Sequence, residues 1–412
     1  MSALADRQGY SEGRRRGGLR ISYADLKRGT LWLLTACSGI ALIEPSPYEF
    51  VFLITLFVFA LTGIRFSQKL VPMALLLLLY NIGGVISLIP WMAEEESVRF
   101  TAVSVYLMIT AIFLAAIMAE DPLARLEILR KGYLFAAWYA GLAALLGYFD
   151  VGGLASVFTR SARAAGTFKD PNVLGPFLVV PIVYTLQHVL TGRLGLVRGF
   201  LVMSVPLMAV FLSFSRGAWG NLAGSALLMV GLMFLTAPNA PRRARIVVLT
   251  LSALVLVVAA LLIALSFENI RSIFEVRASL DQSYDQGVTG RFGSQLRSIP
   301  LLLEAPNGFG PLRFRWYFPE DPHNVYVNAF ASYGWLGGLS YLALIAITCY
   351  AGWKLVFTRS PWQNHAIALW SVLFVTILQG VQIDTDHWRH FYLMFGLIWG
   401  LAVLRPPAPS AR

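Results

Sequence analysis

The sequence predicts an all-α fold, a polytopic membrane protein of about twelve transmembrane helices with one large, partly helical extracytoplasmic loop. Three observations carry this. Of its 412 residues 57% are apolar and only 13% charged, with a mean hydropathy of +0.65, so its surface must face something other than water. Apolar runs recur from residue 31 to residue 404, and a bilayer core about 30 Å thick asks for about 20 such residues per helix. The excess positive charge, +11 overall, gathers in the short breaks between runs. That is the pattern of membrane topology and not of a nucleic-acid-binding face, so membrane lipids are expected partners and nucleic acid is not.

Taken in order, residues 1–30 are polar and basic and lack the short apolar region and small-residue cleavage site of a signal peptide. They are expected to form a poorly ordered cytoplasmic arm. Candidate spans follow at 31–44, 49–64, 70–90, 100–119, 131–148, 171–190, 196–213, 217–236 and 246–267, and then at 325–352, 366–382 and 390–404. Glu44, Pro45 and Pro47 separate the first two, which read as two tilted spans or one re-entrant pair.

With the N-terminus inside, the breaks holding Arg65 and Lys69, Arg125 to Lys131, Arg193 and Arg198, Arg242 to Arg245, and Lys354 and Arg359 all fall on the cytoplasmic side. The acidic breaks Glu94-Glu95-Glu96 and Asp384/Asp386 fall opposite, as the positive-inside rule requires. The expected organisation is a tail at 1–30, nine spans within 31–267, an outer loop at 268–323, three spans within 324–404 and a cytoplasmic tail at 405–412. A second outward segment covers 149–170. Cys37 and Cys349 lie inside apolar runs and read as small buried hydrophobes.

The long outer loop is more than a connection. Ser266 to Leu280 alternates apolar and charged positions like an interfacial helix, and Gly287 to Leu303 reads as a second helix after turn residues at Asp285 to Gly290. Asn307, Gly308, Gly310 and Pro311 then break the chain.

Few residues can carry chemistry. His323, in Asp321-Pro322-His323-Asn324-Val325-Tyr326, stands where the loop re-enters the membrane. An imidazole there can act as a base toward a hydroxyl if Glu320, Asp321 or Asn324 orients it, or it can simply satisfy an interfacial hydrogen bond. His387 and His390 could hold a metal with Asp384 or Asp386, but the spacing equally fits an interfacial span end, and no metal is assigned. Arg216, between two apolar runs, needs a wet cleft or an anionic partner.

Arg291, Arg297, Arg313 and Arg315 add positive charge on the outer side. A membrane-embedded phosphate or pyrophosphate would explain the cluster. The alternative is ion pairing with Glu268, Glu275, Asp281, Asp285 and Glu304, the reading preferred for Arg271 and Arg277. Lys169 and Asn172, around the helix start at Asp170-Pro171, could extend an anion-binding surface or merely form a cap.

Together these pieces resemble the O-antigen ligase and Wzy-type polysaccharide polymerase superfamily of bacterial envelope glycosyltransferases. The resemblance rests on Gly166-Thr167-Phe168 with Asp170-Pro171-Asn172, on Phe214-Ser215-Arg216-Gly217-Ala218-Trp219, on Gly290-Arg291, and on Asn307-Gly308-Phe309-Gly310 followed by Pro322-His323-Asn324-Val325-Tyr326. It implies about twelve helices in the bacterial inner membrane with a large periplasmic loop, and transfer of a glycan from undecaprenyl pyrophosphate to a glycan or lipid A core acceptor, without metal or other cofactor. By motif, Arg216 and Arg291 look like the family's donor-pyrophosphate arginines and His323 like its essential histidine, with Arg297 as an alternative to Arg291. Lys169, Asn172, Asn324 and Tyr326 are the further candidate substrate contacts.

Ligase and repeat-unit polymerase share this donor chemistry and differ in acceptor. A lipid flippase or transporter, or a structural membrane subunit, is the competing class. Charges deep within spans or inverted repeats of broken helices would favour transport, but here the charges sit at span ends and in one loop.

Overall fold

Hydropathy and capping residues act together to set the helix limits. A computed structural model describes residues 22–278, 287 and 290–406. The helices are α1 Tyr23–Cys37, α2 Pro47–Thr62, α3 Val71–Leu88, α4 Glu95–Ile117, α5 Pro122–Tyr148 and the short α6 Ala155–Phe158. A two-residue hairpin, β1 Thr159–Arg160 with β2 Arg163–Ala164, precedes α7 Pro171–Leu190, α8 Leu196–Leu212, α9 Arg216–Leu235 and α10 Ala240–Leu265. The loop helices are α11 Glu268–Ala278 and α12 Arg291–Leu303, and α13 Val325–Phe357, α14 Gln363–Gln379 and α15 Arg389–Ala402 complete the chain.

Each of the twelve apolar runs coincides with a helix. Among the described residues, six helices are long and apolar enough to cross a membrane: Gln68–Trp91, Glu95–Ile117, Pro171–Leu190, Arg216–Leu235, Ala240–Leu265 and Val325–Phe357. The others are shorter or carry charge: α15 has 14 residues, and α5 opens with Arg125, Glu127, Arg130 and Lys131. The first helix starts well before residue 31, because Ser22 and Asp25 form a reciprocal capping box that takes Lys27 and Arg28 into the helix. Of the expected N-terminal arm, residues 1–21 lie outside the described residues, as do 407–412 of the C-terminal tail.

Burial sorts the helices. The apolar stretch of α7 is 89% buried and forms the centre, whereas that of α10 is 6% buried and stands at the edge. Close contacts in the bundle need glycine: a Cβ on Gly83 of α3 would lie 2.5 Å from the Tyr333 carbonyl of α13, and one on Gly396 of α15 would lie 2.5 Å from the Ala111 carbonyl of α4.

Contacts between the breaks fall into two groups, one at each end of the bundle. At one end Ala41 N–H donates to Thr167 O at 2.9 Å, Arg389 Nε to Glu49 at 2.9 Å, Trp91 Nε1 to Phe309 O at 3.2 Å, and Arg163 Nε to Ser213 O at 2.8 Å. At the other, Arg65 pairs with Glu120 at 3.6 Å, Lys69 reaches Val403 O at 3.4 Å, and Arg193 lies 3.4 Å from His365. These are the two sets of breaks that charge alternation separates in the sequence.

The loop is helical at both expected places, though part of its turn (285, 286, 288 and 289), the side chain of Arg277, and Asp281 lie outside the described residues. Arg271 pairs with Glu268 and with Glu275, as its spacing predicts. The Asn307-to-Gly310 segment seats on α13: Phe309 N–H donates to Ala331 O at 2.8 Å. A break at Gly334, whose φ is +65°, frees Trp335 N–H to meet Pro306 O at 2.8 Å. The loop is thereby anchored on the helix that His323 introduces.

Candidate active site

The site is built at the end of the bundle where α9, α12 and α13 begin and α14 stops. Asn324 caps α13, its Oδ1 accepting the amides of Tyr326 at 3.0 Å and Val327 at 3.2 Å. Its own backbone N–H donates to Asp384 Oδ1 at 3.0 Å, and the His323 amide turns to the same carboxylate. From the other side Gln295 of α12 donates to Pro322 O at 2.8 Å and accepts from Asn324 Nδ2 at 3.3 Å. Val325 N–H meets Gly380 O at 2.8 Å, and Tyr326 OH donates to Ile377 O at 2.8 Å. The re-entry at 322–326 is clamped between α12 and the end of α14.

His323 itself has φ +45°, and its side chain is 35% exposed, with Nε2 4.0 Å from Glu320. Partial burial, and then the nearby Arg291 charge, hold its pKa below the ordinary histidine value against the opposing pull of Asp321 and Glu320. The imidazole is therefore neutral at physiological pH, the form a base requires.

The two arginines open helices. Ser215 caps α9 by accepting the Ala218 amide at 3.3 Å, which puts Arg216 in the first turn. Phe214, like His323, has φ +45° two residues before its helix begins. Non-glycine residues seldom adopt this conformation, and they concentrate where a side chain must be aimed. Arg291 is the first residue of α12 and donates to Gln382 O at 3.4 Å. One turn into α9, Asn221 bonds Gln379 at 2.7 Å and Thr376 at 3.0 Å, and a Cβ on Gly217 would fall 2.7 Å from Gln379 Nε2.

The segment 379–384 thus touches all three neighbourhoods: α9 beside Arg216 through Gln379, Arg291 through Gln382, and the His323 turn through Asp384. The arginines, at helix N-termini, can hold an anion, and the neutral imidazole of His323 can accept a proton.

The remaining candidates sit around this centre. Asn172 follows the Asp170 cap and accepts from Arg163 Nη2 at 2.8 Å, while Arg163 Nε reaches Ser213 O just before Arg216. Lys169 pairs with Glu44 at 3.0 Å, both side chains about half exposed. Arg297 lies over the Phe318 ring at 5.5 Å.

Arg313 and Arg315 are engaged in holding the loop. Arg313 is buried between the rings of Trp91 and Trp316, 4.6 Å from each, and pairs with Glu94 and with Ser97 Oγ at 3.0 Å. Arg315 forks onto Asp321, with Nε at 2.7 Å. His387 has Asp386 3.1 Å from Nδ1 and the Phe100 carbonyl 3.0 Å from Nε2, and His390 is buried against Trp388.

Sequence reasoning missed Arg163, Gln295, Gln379 and the anchoring use of Asp384. Arg163 stands three residues before the Gly166 motif, a signal that was available. Gln379 ends a span, and nothing local marks it.

Residues 200–342 match the Wzy_C family model, described as O-antigen ligase. This segment belongs to the O-antigen ligase/Wzy superfamily. The O-antigen ligase match contains Arg216, Arg291, His323 and the whole outer loop, while Gln379 and Asp384, which complete the neighbourhood, lie beyond it. No curated protein sequence matches the chain.

Proposed function

We propose that the chain is a multi-pass inner-membrane glycosyltransferase of the O-antigen ligase type. In this reading it moves a glycan from undecaprenyl pyrophosphate to a hydroxyl of a glycan or lipid A core acceptor. The observation that carries it is the joining of the Arg216, Arg291 and His323 neighbourhoods through 379–384 at one end of the bundle. The family match supports an O-antigen ligase- or polymerase-type envelope enzyme. In the topology that goes with this reading, the helices cross twelve times, both tails lie in the cytoplasm, and 268–323 covers the outer leaflet.

The acceptor oxygen attacks the anomeric carbon, a new C–O bond forms, and the bond from that carbon to the pyrophosphate oxygen breaks. Arg216 and Arg291 stabilise the charge that collects on the departing lipid pyrophosphate. His323 takes the hydroxyl proton and passes it to water or Glu320. The donor is already activated, so the reading invokes neither nucleotide nor cofactor. In this reading Asn172, Asn324 and Tyr326 are further substrate contacts beside Arg163, with Lys169 and Arg297 adding positive charge around them.

A repeat-unit polymerase is the second reading, because the matched superfamily includes both and the donor residues are common to them. Reconstitution with undecaprenyl-pyrophosphate glycan and alternative acceptors separates the two: one transfer to a lipid core marks a ligase, and a ladder of extended products marks a polymerase. His323→Ala is expected to insert normally and lose turnover. A fully active variant rules out the role given to His323.

A further inference from the structure

The loop helix α12 is turned inside out. A helix on a water-soluble surface hides its apolar residues and shows its polar ones, and α12 does the reverse. Ser294, Gln295 and Ser298 are buried, and of its large apolar residues only Leu302 is. Gln295 is held by Pro322 and Asn324 at 2.8 and 3.3 Å, and Ser298 Oγ donates to Gln295 O at 2.7 Å. Phe292, Leu296, Ile299 and Leu303 recur at the spacing of one helical stripe, and each is between 47% and 70% exposed. Arg297 stands off that stripe, over the Phe318 ring.

The stripe ends against α13. Trp335 Nε1 donates to Leu302 O at 2.8 Å, which sets the last turn of α12 beside the residue where α13 changes character. From Ala331 to the break at Gly334 that helix is buried, with the Asn307-to-Gly310 segment seated on it. From Trp335 onward it carries an exposed apolar stripe of its own through Leu336, Leu339 and Leu342. α13 is long and apolar enough to cross a membrane, and an exposed apolar stripe on such a helix faces lipid. The outward face of α12 continues that surface. Its charges also suit a bilayer, since α12 holds two arginines and no acidic residue and anionic headgroups attract basic helices.

We propose that α12 is sunk in the outer leaflet, with the stripe from Phe292 to Leu303 among the phospholipid acyl chains, so that Arg291 takes its depth from the membrane. The inference rests on the chain being membrane-embedded and not on the transferase reading. The test uses the unaltered full-length protein in nanodiscs of phosphatidylethanolamine and phosphatidylglycerol, without glycan donor. A lipid-soluble and a water-soluble diazirine are photolysed in parallel samples, and labelled residues are located by peptide mass spectrometry. Leu339 serves as the lipid-facing reference and the exposed Glu320 as the water-facing one.

At Leu296 and Leu303 the ratio of lipid-soluble to water-soluble labelling is expected to match that at Leu339 and to exceed that at Glu320 about tenfold. With no donor present, this label reports bilayer lipid and not a polyprenyl chain. A ratio level with that at Glu320 puts the stripe in water and overturns the proposal. Exclusion of both reagents from Leu296 and Leu303 shows a protein cover, such as a second copy of the chain, and overturns the lipid assignment.

Discussion

The backbone N–H of Asn324 donates to Oδ1 of Asp384 at 3.0 Å, tying the first turn of α13 to the segment that follows α14. Burial and the neighbouring Asp386 charge push the Asp384 carboxyl up to about 8, against the pull of the two amides it accepts. Because the folded value is raised, its contribution to stability is greatest below the ordinary value of 3.8 and is lost as pH rises toward about 8. Thermal unfolding of the native protein is expected to fall in midpoint across that window, and Asp384→Asn, which cannot ionise, is expected to flatten the slope. Asp384→Ala removes the acceptor altogether, and transfer is expected to drop about ten- to a hundredfold with insertion retained.

Arg291→Gln tests the electrostatics of His323. The Arg291 charge disfavours the imidazolium, so its removal raises the His323 pKa. The acid limb of the pH–rate profile is expected to move to higher pH in the variant, beyond any change in its plateau. An acid limb that stays in place argues against His323 as the base.

Arg216 is given an anion to hold in the transition state. Lysine keeps the charge but loses the planar fork, whereas glutamine loses both. Turnover is expected to follow Arg above Lys above Gln, with the glutamine variant down by about a hundredfold. Initial rates over a donor titration check this and separate a turnover loss from weaker donor binding.

Arg313 fastens the outer loop to the turn between α3 and α4 through Glu94, Ser97 and two indole rings. Arg313→Leu is expected to cost on the order of 3 kcal/mol, chiefly by stranding its partners. Limited proteolysis should then cut within 304–323 faster than in the unaltered protein, with the helical content of the bundle unchanged.

Much of this was legible beforehand because it is local. Every apolar run coincides with a helix, and Asp170 caps the helix it precedes, since a cap depends on residues two or three positions away. Two helices start well before their apolar runs: α1, because Ser22 and Asp25 form a capping box in polar sequence that hydropathy passes over, and α5, which begins at Pro122 and takes in the charged Arg125, Glu127 and Arg130. Charge alone groups Arg313 and Arg315 with the substrate arginines, because it cannot reveal whether a partner waits at Glu94 or Asp321.

The sequence by itself determined that the chain is helical and membrane-embedded, that its breaks alternate in charge, and that Arg216, Arg291 and His323 each stand at the start of a helix. Only the tertiary structure decided that 379–384 gathers their neighbourhoods, that Arg313 is bound into the loop, and that Arg193 meets His365 at the far end. The division has a physical cause. Hydropathy and capping act within a turn or two of chain, whereas these meetings join residues tens to hundreds of positions apart, and they exist only once the helices have packed.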